Sequence, residues 1–279
     1  MSSILTNSSA IVALQTLKSI NSNLSKTQNE ISTGKSINSA KDNAALWSIA
    51  KTMEGDKDSS LTIQKNLNVA GQTVASALTG ANKILDQLKK MHDLATSAGS
   101  SEMTFDTIQN QITELSNGIT ANIASTQSNG VNLLSTNGIN GGDTYSVVSS
   151  LDRAGTTVTA SSITITSLDF EAGLDLAGMT AITDEATAET ARSEIQAMIE
   201  TVTSGIATLG ARASRISDQA DYVGAMADSL KLGVSALVDA DMEESSARLQ
   251  ALQTQQQLGI QALSIANQAP SAILSLFRS

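Results

Sequence analysis

The sequence predicts a mainly α protein: a long antiparallel helical hairpin or bundle, with coiled-coil-like packing of its N- and C-terminal segments and a small β-rich insertion at the tip. Three observations predict it. Apolar residues recur at alternating three- and four-residue steps over two long stretches, the signature of a helix with one buried stripe. The 279 residues contain one proline, so ring sterics almost never interrupt a helix. Aromatics make up 2% of the chain, so the core is built from Ala, Leu, Ile and Val, side chains that suit closely packed helices.

Residues 1–40 carry a thin stripe, Ala10, Leu14, Leu17, Leu24 and Ile31, interrupted by Asn21 and Gln28. A far stronger stripe starts at Leu46 and runs through Ile49, Met53, Ile63, Leu67, Val74, Ile84, Leu88 and Met91 to Ala95, with only Asp56 and Ser60 polar at seam positions. Unbroken phase over that length predicts one helix spanning roughly 80 Å, ended by Ser97-Ala98-Gly99-Ser100. Another stripe follows, Phe105, Ile108, Ile112, Leu115, Ile119 and Ile123, before turn signals at Asn129-Gly130 and Asn137-Gly138. From Gly141 to about Met179 the helical period vanishes, and Tyr145–Val148 and Val158–Ile165 read as short strands separated by Asp152-Arg153-Ala154-Gly155. The cleanest stripe then runs Ile195, Ile199, Val202, Ile206, Leu209, Ala213, Ile216, Ala220, Val223, Ala227, Leu230, Val234 and Leu237. Residues 249–279 end the chain with Leu249, Leu252, Leu258, Leu263 and Ile265 in a background of Gln, Asn and Ser.

This layout is near-palindromic and divides into three parts. Residues 1–44 and 236–279 form a terminal coiled-coil part. Residues 45–138 and 182–235 form the helical bundle, with Ile63, Leu67, Val74, Ile84, Leu88, Ile112, Ile199, Val202, Ile206, Leu209 and Ile216 as its core. Residues 139–181 form the β-rich insertion. The terminal segments are marginal alone, because nucleating a helix is costly and their seams are interrupted by amides. After Ser245 the only charged residues are Arg248 and Arg278, and the N-terminal arm carries Lys18, Lys26 and Lys35 against Glu30. Both ends are slightly basic, so apolar and amide contacts, rather than charge attraction, must bring them together.

Composition excludes several functions. No cysteine and one histidine leave no disulfide, no thiol chemistry and no His-based metal cluster; no metal and no cofactor are expected. A net charge of −10 argues against a nucleic-acid partner, which needs a concentrated basic face. No run approaches the roughly 20 apolar residues of a membrane span, so no membrane insertion is expected. The start, MSSILTNSSAIVALQTL, does not read as a cleaved secretion signal. His92 is followed by Asp93, but adjacent helix residues do not face each other, and no catalytic motif is present, so no enzyme is predicted. Asp241, Glu243 and Glu244 read as a solvated face or first-turn partners of a helix dipole; Asp239-Ala240-Asp241-Met242 reads alternatively as a fixed junction between two helical segments.

Several long motifs now resemble bacterial flagellins. Residues 31–45, ISTGKSINSAKDNAA, are similar to that family's N-terminal signature; Asn129-Gly130-Val131-Asn132-Leu133-Leu134 is similar to its F-N-G-x-x-L/V-L, with Ser128 in place of Phe. At the other end Asp239-Ala240-Asp241, then Ala266-Asn267-Gln268-Ala269-Pro270, then Ile273-Leu274-Ser275-Leu276-Phe277-Arg278 are similar to the family's closing D-A-D, A-N-Q-x-P and V-L-S-L-L-R. The resemblance covers roughly residues 1–138 and 184–279. It implies a subunit that self-polymerises into the extracellular flagellar filament for swimming. The terminal helices, with Leu14, Leu17, Leu24, Ile31, Leu252, Leu258, Leu263, Ile265, Leu274, Leu276 and Arg278, would build its inner layer. The implied partners are the chain itself as a helical homopolymer, an export chaperone of the flagellar type III apparatus, and cap and hook-associated proteins. Alternatives are a hook–filament junction protein, which shares the helical ends, and a type III secreted coiled-coil protein.

The chain departs from the family at Leu46, where a Gly is usual, with Trp47 next to it. The innate immune receptor that recognises many flagellins uses an Arg, a Leu and a Glu; the corresponding positions read Lys90, Leu94 and Gly118. A Lys cannot reproduce the bidentate fork of Arg, so weak receptor recognition is expected.

Overall fold

The computed structural model of the chain describes residues 7–98, 104–155 and 157–276, and for 269–276 the backbone alone. Among the described residues the order is α1 (Ser8–Thr33), α2 (Ala44–Ser97), α3 (Phe105–Ser125), β1 (Thr144–Ala154), β2 (Thr157–Thr166), α4 (Phe170–Gly173), α5 (Glu185–Val238) and α6 (Met242–Leu276). The chain is mainly helical with one small sheet, as the periodicity predicts. It divides into two compact units, Met1–Asp56 with Asp228–Ser279, and Lys57–Ala227.

The Lys57–Ala227 unit has one continuous core. Along α2 it takes Ile63, Leu67, Ala70, Val74, Ala77, Ala81, Ile84, Leu88, Met91 and Ala95, in the predicted three-four alternation. From α3 it takes Ile108, Ile112, Ile119 and Ile123, and from α5 Ala188, Ala191, Ile195, Met198, Val202, Leu209, Ile216, Ala220 and Val223. Ala70, Ala77, Ala81 and Ala95 in the α2 seam let neighbouring helices approach closely. Helix ends are capped locally: the Asp184 carboxylate accepts the Thr187 amide at 2.8 Å ahead of α5, and Asp106 lies in the first turn of α3, where the helix dipole favours an anion.

Phase within the stripes differs from the sequence reading at several places, among them Leu237, which is half-buried while Val238 is buried. Ile199 and Ile206 are half-buried on the flank of the core, while Met198 and Gly205 occupy the seam. Both spacings are compatible with a helix, and only the partner surface chooses between adjacent rows. Ile49 is exposed, and Ala50 is buried in its stead with Val234 and Val238.

The segment between α3 and α5 belongs to the same core. Val131, Leu133, Leu134 and Ile139, then Val147, Ile163 and Ile165 of the hairpin, then Phe170, Leu174 and Ile182 are buried with the helical stripes. β1 and β2 pair antiparallel from Thr144↔Thr166 to Ala154↔Thr157. Both strands are longer than the sequence reading, because Ser, Thr and Asp extend a ladder that apolar alternation marks only at its base. A bulge between Val148 and Ser150 leaves Ser149 unpaired across the sheet; its carbonyl accepts Gln219 Nε2 at 2.9 Å instead. Beyond the bulge Leu151 and Val158 are exposed. The short helix α4, unsignalled by any periodicity, carries the fully buried Phe170.

Candidate functional site

The terminal helices pair within the first unit. The N-cap residue of α1, Asn7, accepts the Ala10 amide at 3.1 Å with its side-chain oxygen. Its side-chain nitrogen donates to the Ala266 carbonyl of α6 at 2.7 Å. Midway, Gln256 Nε2 donates to Asn21 Oδ1 at 2.7 Å. At Gly259 the helices come close: a Cβ there would meet Leu17 Cδ1 at 3.2 Å and Ile20 Cδ1 at 3.7 Å. Leu252 is buried in the pair, whereas Thr27, Glu30 and Ser245 are buried polar residues. The shared face is therefore thin and partly amide-built, consistent with ends that charge attraction cannot join.

The named terminal residues split into two sets. Leu17, Leu24, Ile31 and Leu263 are half-buried and Leu252 is buried. Leu14, Leu258 and Ile265 point outward, 58%, 59% and 70% exposed, alongside Ile11, Val12 and Ile260. Leu274 and Leu276 fall where the backbone alone is described, and Arg278 lies outside the described residues.

A junction ties the connector after α1 to the break between α5 and α6. Gly34 ends α1 with φ +68°, a conformation that suits a residue without Cβ, and its carbonyl accepts the Ala240 amide at 2.9 Å. The Ser36 amide and hydroxyl both donate to the Val238 carbonyl, at 2.7 and 3.1 Å. These bonds flank a β-bridge between Lys35 and Asp239. Of the two readings of Asp239–Met242, the fixed junction holds. Asp241 also acts as the cap of α6, accepting the Glu243 and Glu244 amides at 2.9 and 3.1 Å, so the first-turn reading of those glutamates holds as well.

The connector is held by carboxylates. Asp42 Oδ2 accepts the Ser39 amide at 2.9 Å, the Ser39 hydroxyl at 3.0 Å and the Asn38 amide at 3.2 Å. Those bonds, the two from Ser39 foremost, hold its carboxyl below the usual aspartate range. Glu54 receives Lys51 Nζ at 2.6 Å and Lys35 Nζ at 3.6 Å, and the Lys51 hydrogen bond is the main cause of its lowered pKa. The sequence reading names Gly34, Ser36 and Asp42 only as part of the 31–45 motif, and singles out neither Asn7 nor Gly259 as a site residue. The signals available for them were an Asn before a helix, a Gly after one, and a Gly within a weak stripe.

In the second unit Lys90 and Leu94 line an open groove of about 740 Å³ with Asp93, Ser97, Asn110, Gln111, Glu114 and Leu115. Gly118 is not among the groove residues; the space its Cβ would fill is taken by Gln87 Nε2, and the Gln87 side-chain oxygen accepts Asn122 Nδ2 at 2.5 Å. The structure thus sets Gln111 and Glu114, rather than Gly118, beside Lys90 and Leu94, because Gly118 lies on the face of α3 turned toward α2. Among the described residues no group of three or more His, Cys, Asp or Glu side chains could hold a metal ion, and no helix is long and apolar enough to cross a membrane.

Residues 4–138 match the bacterial flagellin N-terminal helical region, and residues 193–277 match the bacterial flagellin C-terminal helical region. A flagellin of Brucella melitensis biotype 1 is 42% identical over 100% of both chains. Flagellin FljM of Caulobacter vibrioides is 38% identical over 100% of this chain and 99% of its own. The crystal structure of Bacillus cereus flagellin superposes with a TM-score of 0.49 at 23% identity, over 57% of this chain and 88% of that one, a likeness too remote to add to the assignment. Full-length identity at this level, with both helical regions matched in order, places the chain in the bacterial flagellins, the structural subunits of the flagellar filament.

Proposed function

We propose that the α1–α6 pair is the polymerising element of this filament subunit, and that a second copy of the chain covers its outward apolar residues. The supporting observation is the exposure of Leu14, Leu258 and Ile265 on a pair whose own shared face is thin. Burying a large aliphatic side chain contributes at most roughly 1.5–3 kcal/mol, a gain that an isolated copy does not collect and that repeats with every added subunit. A head-to-tail contact whose rotation does not close on itself generates a helical polymer.

In this reading residues 1–44 and 236–279 form the assembly part, residues 45–138 and 182–235 the helical bundle, and 139–181 an insertion whose base packs into the bundle's core. The polymer lies outside the cell. The subunit leaves through the flagellar type III apparatus with an export chaperone, and adds beneath cap proteins onto hook-associated ones. Lys90 in place of an Arg weakens innate receptor recognition at the groove it shares with Leu94; a reporter-cell assay with purified monomer is expected to respond only at doses well above those of an Arg-bearing flagellin.

Electron microscopy after deletion of residues 250–279 tests the assembly reading. The truncated chain is expected to keep the helical circular dichroism of its 46–235 core and to form no filaments. Filaments from the truncated chain would overturn it.

A further inference from the structure

The chain contains four Asn-Gly pairs, at Asn117, Asn129, Asn137 and Asn140, all with exposed asparagines. Asn followed by Gly is the dipeptide most open to spontaneous deamidation, since no side chain on the following residue crowds the attack. The backbone holds the four in three different environments.

Asn129-Gly130 and Asn140-Gly141 are the centres of two-residue hairpin turns. Ser128 and Val131 exchange amide–carbonyl hydrogen bonds at 2.9 and 3.0 Å, and Ile139 and Gly142 do so at 3.2 and 2.9 Å. Both central residues of each turn have positive φ, 52° and 78° in one, 51° and 82° in the other, the type I′ pattern. In such a turn the amide of the second central residue bonds to nothing in the turn, and a Cβ on Gly130 or Gly141 would meet nothing within 4 Å. Gly138 differs. Its amide donates to the Ser135 carbonyl at 3.4 Å, its carbonyl accepts the Asn132 amide at 2.8 Å, and its Cα faces the Asn132 backbone with no room for a Cβ. Asn117-Gly118 lies inside α3, where the helical ladder occupies the Gly118 amide.

We propose that Asn129 and Asn140 are the deamidation sites of the folded subunit, and that Asn137 and Asn117 are protected by their backbone hydrogen bonds. In the reaction the following glycine nitrogen loses its proton to solvent base and bonds to the asparagine Cγ. The side-chain nitrogen takes a proton from water and leaves as ammonia, giving a five-membered succinimide. Water then opens one of the two imide carbon–nitrogen bonds, yielding aspartate or isoaspartate. The balance is one water consumed and one ammonia released, with no redox change.

Each event adds a negative charge to a chain already at −10. Isoaspartate also lengthens the backbone of a two-residue turn by one carbon. The turns flank the Val131↔Ile139 bridge, and both bridge residues are buried in the main core. Conversion to isoaspartate therefore strains the packing of these loops against the helices.

The test incubates the full chain, folded and in denaturant, in mildly alkaline buffer, and follows the four asparagines by peptide mass mapping with isoaspartate-sensitive fragmentation. In denaturant all four are expected to convert at similar rates. In the folded chain Asn129 and Asn140 are expected to lead Asn137 by about fivefold, the factor one backbone hydrogen bond of ordinary strength imposes on local opening, with Asn117 slower still. Conversion of Asn137 or Asn117 as fast as the leading pair overturns the proposal. So does a folded chain in which Asn129 and Asn140 fail to convert while the denatured chain does.

Discussion

Gly205 of α5 receives the ring of Phe170: a Cβ on Gly205 would lie 2.7 Å from Phe170 Cζ and 2.9 Å from Leu168 Cδ1. This missing side chain lets the segment after the hairpin press its one buried aromatic residue onto the helical seam. Phe170 is almost fully buried, so its ring has no free direction in which to yield.

Two alanine substitutions in one helix separate packing from propensity. Gly→Ala gains about 1 kcal/mol of intrinsic helix preference, but overpacking a filled core costs typically 1–3 kcal/mol. Gly205→Ala is therefore expected to lower the melting temperature by about 2–4 °C per kcal/mol of net loss. Gly210→Ala, with nothing within 4 Å of its Cβ position, is expected to raise it. Calorimetry of the two variants checks the signs.

Leu252 and Leu258 of the same helix face opposite surroundings, 8% and 59% exposed. Leu252→Asp places a charge in the α1–α6 pair and is expected to reduce helicity of the isolated chain as well as polymerisation. Leu258→Asp is expected to leave the monomer's circular dichroism unchanged and still block filament growth. Equal polymerisation by Leu258→Asp and the parent chain, read by light scattering, would refute the assembly role of the outward residues.

Acid is expected to loosen the connector between α1 and α2. The Ser39 and Asn38 donors depress the pKa of Asp42 in the folded state, so their stabilisation is complete above the unfolded aspartate value, about pH 4. It is lost as pH falls through the lower folded value. Glu54, depressed mainly by Lys51, acts in the same direction. Amide exchange at Asn38 and Ser39, corrected for intrinsic rates, is expected to accelerate below about pH 4, and Asp42→Asn to weaken that pH dependence.

Val74 is fully buried in the middle of α2. Val74→Pro removes a ladder hydrogen bond and is expected to cost about 3 kcal/mol or more, visible as a lower thermal midpoint. An unchanged midpoint would contradict the buried position of this stretch.

The helical architecture was written in the sequence wherever one stripe met one stripe. From Ile63 to Ala95 every predicted three-four position is buried, because a 3.6-residue period allows one face and the apolar residues occupy it. The chain's paucity of rings and proline and its closing motifs were equally legible. Tertiary structure alone decided between adjacent rows: Met198 over Ile199, Gly205 over Ile206, Ala50 over Ile49. Hydrophobicity favours the isoleucine in each pair; at Gly205 the facing surface leaves no room for a side chain, because Phe170 and Leu168 fill it. The same holds for Phe170, Gly118 and the split between Leu252 and Leu258. Which way a side chain faces depends on what lies opposite, and residues distant in sequence supply that surface.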